Sequence, residues 1–285
     1  MQTLKYILFF ALASGLLIAC NNKNTASQPN QTVEHRIISL SSGITEILAL
    51  LGQDDKIVGV DVTSTYPQDI KQRAQDLGHV RSISIENVIA LQPTLVLASD
   101  KDLNADLINK LQEAKINVKT IHQEQTIEGA KQFIKDIAMA VGDTNYTSFI
   151  EKIDADFAGL TQFETKPKVL FIYARGAGTL MVAGKNTPME SIISIAGGEN
   201  VANDFENFKT LTPEALIQSN PDYILMFDKG LESLGGVDGV LKIQGIEQTN
   251  AGKNKNIISM DGALLSGFGP RVGQAAKELN QLLSK

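Results

Sequence analysis

Apolar residues crowd the first twenty positions, thin to Ala26 and Val33 over the next fourteen, and then return in short runs that alternate with helical spacing through most of the chain. The apolar head, Tyr6 to Ile18, follows Lys5 and is too short to cross a bilayer comfortably; with Ala19 as the small residue before a cut, residues 1–19 read as a signal peptide. Residues 21–34 have no apolar period and cannot bury enough surface to order themselves, so Cys20 and this stretch read as a tether. A flexible coil of that length spans about 20 Å. In the body, Arg36–Leu40, Lys56–Val60, Thr94–Ala98 and Asn117–Ile121 have the composition of buried strands, and Ile44–Leu51, Ser84–Leu91 and Ala105–Ala114 the spacing of helices. The alternation resumes with strands at Lys168–Tyr173, Tyr223–Phe227 and Asn256–Met260 and helices at Met189–Ala196 and Pro213–Ser219. Strand and helix in turn predict parallel α/β sheets, here in two units: residues 35–125 and 166–285. Between them, 126–165 is a nearly continuous helical pattern interrupted only at Val141-Gly142-Asp143.

The two units repeat one another. Glu86-Asn-Val-Ile-Ala-Leu-Gln-Pro93 and Glu214-Ala-Leu-Ile-Gln-Ser-Asn-Pro221 each place Glu and Pro seven residues apart and lead into an apolar strand. A weaker echo pairs Thr45-Glu46 through Gly52 with Met189-Glu190 through Gly197. Such duplication predicts two α/β lobes joined by a single long α-helix, with a ligand cleft between them.

Composition narrows the chemistry. The net charge of −6 becomes one unit more negative once residues 1–19 are removed, which argues against nucleic acid or an anionic membrane surface as the main partner. Cys20 is the only cysteine, so the body has no disulfide, no thiolate metal site and no thiol nucleophile. The three histidines, His35, His79 and His122, are too far apart for a local zinc or manganese motif. His79 could approach the cleft, although a surface or packed histidine is the simpler reading. Ser41-Ser42-Gly43 lacks a nucleophile-elbow pattern, there is no Walker A motif, and Gly176-x-Gly178 and Gly267-x-Gly269 lack the rest of a dinucleotide fingerprint. No catalytic centre and no catalytic cofactor are expected.

Several segments carry a resemblance. Leu17-Ile18-Ala19-Cys20 resembles the bacterial lipobox, which implies cleavage before Cys20 and acylation of its thiol; an uncut anchor or a buried free thiol are the plain alternatives. From Arg36 nearly to the C-terminus, the chain resembles haem-binding lipoproteins of bacterial haem ABC importers, within the class of periplasmic binding proteins whose two lobes are bridged by one helix. Arg36-Ile-Ile-Ser-Leu with Thr45-Glu46-Ile and the Glu–Pro repeat belong to the wider class, which also takes siderophores and cobalamin. Tyr173-Ala-Arg175-Gly-Ala-Gly178 carries the resemblance further, and Thr63-Ser-Thr-Tyr66-Pro67, Gly230-Leu-Glu-Ser-Leu-Gly-Gly and Gly267-Phe-Gly-Pro-Arg271 are more specific to the haem group.

The resemblance implies that Tyr66 ligates haem iron. Phenols titrate near 10, so ionising one at pH 7 costs about 4 kcal/mol, which a ferric ion can offset because an anionic oxygen is a hard ligand. A nearby cation favours the phenolate, and Arg175 and Lys229 are the candidates for contacting it or a haem carboxylate. Some relatives carry histidine where this chain has Arg175, which puts a second protein ligand and stacked haems in doubt. Arg271 reads as a brace for its loop. The resemblance also implies that Glu86 and Glu214 dock on arginines of a permease, although each stands in the first turn of a helix, where a carboxylate complements the dipole anyway.

Together these readings predict a monomeric, lipid-anchored, outward-facing protein of the bacterial cell envelope, on the periplasmic side where there is one. It would capture ferric haem for iron uptake, hold no metal other than haem iron, and deliver its cargo to an ABC permease dimer with its ATPase. A siderophore or cobalamin carrier is the alternative within the class, and a secreted enzyme on the same lobes the alternative outside it.

Overall fold

Short β-branched runs form the strands because a central parallel strand is buried on both faces and needs an apolar side chain at nearly every position. In the computed structural model, which describes residues 35–285 except 101, 102, 104, 177 and 179, Leu95 to Ser99 are all buried, and so are Val169 to Ile172. The signal peptide, Cys20 and the tether lie outside the described residues.

The first lobe runs β1 (Ile37–Ser39), α1 (Ser42–Leu50), β2 (Ile57–Val60), α2 (Ile70–Arg73), β3 (Gln75–Asp76), α3 (Ile85–Ala90), β4 (Leu95–Ser99), α4 (Ala105–Glu113) and β5 (Val118–Ile121). Its sheet has the order β3-β2-β1-β4-β5, with every pair parallel and Ile37 in register with Leu95.

Two helices follow, α5 (Ile127–Ala140) and α6 (Thr147–Ala158). The single long helix expected from the pattern is therefore divided, at the place where the apolar period falters. Gly142, with φ +73°, takes the left-handed backbone that ends α5, and the chain turns before α6 begins.

The second lobe runs β6 (Lys168–Tyr173), β7 (Met181–Ala183), α7 (Pro188–Ile195), β8 (Glu199–Asn200), β9 (Phe208–Thr210), α8 (Pro213–Ser219), β10 (Tyr223–Phe227), α9 (Asp228–Ser233), α10 (Val237–Leu241), α11 (Asn250–Asn254), β11 (Ile257–Met260), α12 (Gly262–Ser266) and α13 (Val272–Leu283). Its sheet is mixed where the pattern predicted only parallel pairing. β11, β10, β6 and β8 pair in parallel, whereas β7 lies antiparallel to both β6 and β9. Strands of two or three residues carry too little period to be seen in a sequence.

The internal repeat is reproduced in the backbone. Ser84 and Thr212 cap α3 and α8 by accepting from the amides of Asn87 and Ala215, Val88 and Leu216 are buried at the same helical position, and Gln92 and Asn220 turn left-handed immediately before Pro93 and Pro221. Each proline then leads into a strand, β4 or β10.

Two outer cores belong to one lobe each, whereas a third is shared. That cluster joins Ile37, Ile47 and Leu97 to Phe171, Ile192 and Leu225 through Phe133, Ile134 and Ile137 of α5, Ile153 of α6 and Leu279 of α13. Lobes with a common close-packed core resist large relative rotation, so ligand capture is expected to rely on small movements and loop adjustment.

Candidate functional site: the interlobe cleft

In parallel α/β sheets the carboxyl ends of the strands open onto the ligand crevice. Here both sheets point those ends at the same space. Ser42 follows β1, and Val62, Thr63 and Thr65 follow β2 to form one wall; Tyr173 and Arg175 at the end of β6, Phe227 and Lys229 at the end of β10, and Asp261 to Ala263 after β11 form the other. The cleft encloses about 640 Å³, within the usual range for a bound organic ligand.

The loop that carries Tyr66 is held from beneath. Asp61 is buried and accepts hydrogen bonds from the Thr63 amide at 3.0 Å, the Thr63 hydroxyl, and the Ser64 hydroxyl at 2.6 Å. Hydroxyls continue the chain inward, with Ser64 2.7 Å from Thr45 and Thr45 2.7 Å from Ser39. Lys71 closes the outer side by donating to the Val62 carbonyl and to Asp76, both at 2.8 Å. Tyr66 is joined to Pro67 by a cis peptide and is 40% exposed; it follows Thr65 of the cleft wall at the edge of the lining and is not itself part of it. Asp61→Asn replaces one accepting oxygen by an amide that can only donate toward donors. It is therefore expected to speed amide exchange at Val62–Tyr66 about tenfold while the central strands keep their protection, as read by hydrogen exchange.

The cation beside Tyr66 comes from an unexpected place. Arg271, at the start of α13, lies with its guanidinium carbon 4.1 Å from the centroid of the Tyr66 ring. The same guanidinium grips Glu46 of α1 through one edge, Nε donating to Oε1 at 2.5 Å and Nη2 to Oε2 at 2.9 Å. Burial pushes the Glu46 carboxyl above its ordinary range, with Arg271 acting in the opposite direction. Burial works against the charge on Arg271, yet the hydrogen bond and charge of Glu46, joined by Tyr66 and Asp261, raise its basicity further. Breaking a buried pair of this kind costs about 3–5 kcal/mol, and stacking on the ring adds about 0.5–2 kcal/mol. Arg271 thus braces its loop, as the sequence indicates, and also reaches the proposed iron ligand, which the sequence did not show.

Arg175 and Lys229 are both exposed on the opposite wall. Arg175 lies over the Tyr173 ring at 5.6 Å, and its loop is tied to α9 by Ser233, whose hydroxyl accepts from the Gly176 amide at 2.9 Å and donates to the Gly230 carbonyl at 2.7 Å. Tyr173 and Phe227 meet edge to face at 6.1 Å and give this wall an aromatic surface, while Asp228 and Asp261 place carboxylates among the cations. His79, expected on the surface or packed inside, is exposed on the cleft wall beside Thr63 and Thr65. Neither Glu86 nor Glu214 lines the cleft; both are exposed in the first turns of α3 and α8. The Ser84 hydroxyl donates to the Glu86 carboxylate and holds it below the usual range. Asp61 and Ser64 had no sequence signal beyond their place beside the tyrosine, and Ser39 and Thr45, which complete the hydroxyl chain, lie far from it in sequence. Among the described residues no group of histidine, cysteine and carboxylates is arranged to hold a bare metal ion.

A periplasmic binding protein family model matches residues 37–264. The ABC transporter substrate-binding lipoprotein YvrC of Bacillus subtilis, itself uncharacterized, is 29% identical over 252 residues, covering 86% of this chain and 78% of its own. The vitamin B12-binding protein of Vibrio parahaemolyticus is 29% identical over 208 residues, 70% of this chain and 73% of its own. Among solved structures, the periplasmic haem-binding protein RhuT from Roseiflexus superposes with a TM-score of 0.83 at 36% identity, covering 88% of this chain and 98% of that one. The haem-binding protein HutB of Vibrio cholerae gives 0.79 at 31%, covering 88% and 100%. Two lobes that open their strand ends onto one cleft, and a family match that runs across both, lead to one conclusion: the chain belongs to the periplasmic binding protein family, as a substrate-binding protein of ABC transporters.

Proposed function

We propose that this protein captures ferric haem in its interlobe cleft and delivers it to the permease of an ABC importer. The observation that carries the reading is Tyr66, set on a braced loop at the cleft rim with the Arg271 guanidinium 4.1 Å from its ring. A phenol that must ionise to bind ferric iron is helped by a nearby positive charge, and the Arg271 guanidinium supplies one. The aromatic wall of Tyr173 and Phe227 suits the face of a porphyrin, while Arg175 and Lys229 suit its two carboxylates. Haem is cargo in this reading and the protein does no chemistry on it. Cys20 would be acylated, and the tether would let a monomeric body reach its permease from the outer side of the membrane.

The B12-binding name of the Vibrio parahaemolyticus relative supports cobalamin as a second reading. The two are separated by titrating the chain from Asn21 onward, which keeps every residue of the three cores, with ferric haem and with cyanocobalamin in parallel. Saturable binding of haem with the visible spectrum of a phenolate-ligated ferric iron, and no calorimetric response to cyanocobalamin, is the expected result. Saturation by cyanocobalamin alone would hand the cleft to the second reading.

A further inference from the structure

Arg271 and the two groups it holds come from opposite lobes. Its turn leads into α13, which packs against α6 and α7, whereas Glu46 lies in α1 and Tyr66 follows β2. The turn from Gly267 to Arg271 is pressed into the first lobe. Gln123 donates to the Gly267 carbonyl at 2.8 Å, and a Cβ on Gly43 would meet that same oxygen at 3.0 Å. Phe268, 2% exposed, is held at φ +41°, a backbone conformation that a bulky residue keeps only when its surroundings impose it.

On the reading that Tyr66 ligates iron, we propose that Arg271 is a positioning residue that makes this ligation conditional on the register of the two lobes. Glu46 fixes the plane of the guanidinium through two parallel hydrogen bonds, and the face so oriented lies over the tyrosine ring. The charged and titratable groups that act on Arg271 are Glu46 from α1, Tyr66 from the loop after β2 and Asp261 from the start of α12. When iron draws the proton off Tyr66, one cation serves two anions of the opposite lobe, and the lobes are held more tightly. A small shift in lobe register, of the size a shared core allows, carries the Arg271 turn with α13 and takes the guanidinium off the ring of Tyr66, which stays with the first lobe. The phenolate then loses its cation at the moment the cargo has to leave.

The test is a pH titration of the ferric haem complex of the chain from Asn21 onward, followed by visible absorption, for the unsubstituted protein, Arg271→Gln, Arg271→Lys and Tyr66→Phe, with thermal unfolding recorded alongside. Arg271→Gln is expected to move the appearance of the phenolate-ligated spectrum to higher pH by about one unit and to weaken haem binding about tenfold. Arg271→Lys, which keeps a charge without the planar fork, is expected to recover part of both effects. Should Arg271→Gln fold poorly because Glu46 is left unpaired, the double substitution Glu46→Gln with Arg271→Gln removes that charge and is expected to show the same spectral shift. Unchanged pH dependence and affinity in Arg271→Gln, or in the double substitution where the single one does not fold, would overturn the inference, whatever happened to the unfolding temperature. A spectrum that persists in Tyr66→Phe would overturn the underlying ligand assignment instead, so the two failures are distinguishable.

Discussion

Tyr66→Phe is expected to weaken binding of ferric haem about 100-fold and to remove the visible signature of phenolate ligation, leaving the fold and its unfolding temperature nearly unchanged. The substitution deletes one oxygen from a residue that is 40% exposed at the cleft rim, so no packed cavity opens. On the proposed reading, what is lost is the iron–oxygen bond. Residual affinity should come from the aromatic face of Tyr173 and Phe227 and from Arg175 and Lys229, which the substitution does not touch. Tyr66→Ala should weaken binding further, because it also removes the ring on which Arg271 stacks. Visible-absorption titration checks both. Equal affinity and an unchanged spectrum in the two variants would move the iron ligand elsewhere, and His79, exposed on the same wall, would be the next residue to substitute.

Reversing both Glu86 and Glu214 to lysine is expected to abolish haem uptake by cells that depend on this protein while haem binding by the purified protein stays within about twofold of the original. The two carboxylates stand at equivalent places in the repeat, on capped helices and outside the cleft, one on each lobe. One turn further along, Ile89 and Ile217 are exposed as well, at 44% and 38%, so each lobe offers the same pair of a carboxylate and an apolar side chain. A permease dimer with two-fold symmetry fits such a matched surface, because it can engage both halves of a rigid body at once and gain from the second contact. If the carboxylates serve only their helix dipoles, the double reversal lowers the unfolding temperature slightly and leaves uptake intact. Measuring uptake and binding on the same variant separates these outcomes.

Much of the fold was legible in the sequence for a simple reason. Strands such as Leu95–Ser99 and Lys168–Tyr173 are apolar at nearly every position because they are buried on both faces; α1, α3 and α8 announce themselves by apolar period and by proline or glycine at their ends, and α4 by its period alone. The division of the bridge into α5 and α6 was marked by Gly142, although only the structure shows that the chain turns there. The edge of the second sheet was not legible, since β7, β8 and β9 are two or three residues long and are shaped by pairing with β6 and with one another. A contact from the far end of the chain was equally hidden. Arg271 is 225 residues from Glu46, and no local pattern records that the last turn of the second lobe is pressed against the first helix of the first. The sequence alone determined two repeated α/β units, a body without disulfides, and a tyrosine in a family-like setting. Only the tertiary structure decided which cation stands over that tyrosine, because that depends on how the last turn of the second lobe meets the first lobe, and which buried hydroxyls brace its loop, because β1, α1 and the loop after β2 come together only in the folded first lobe.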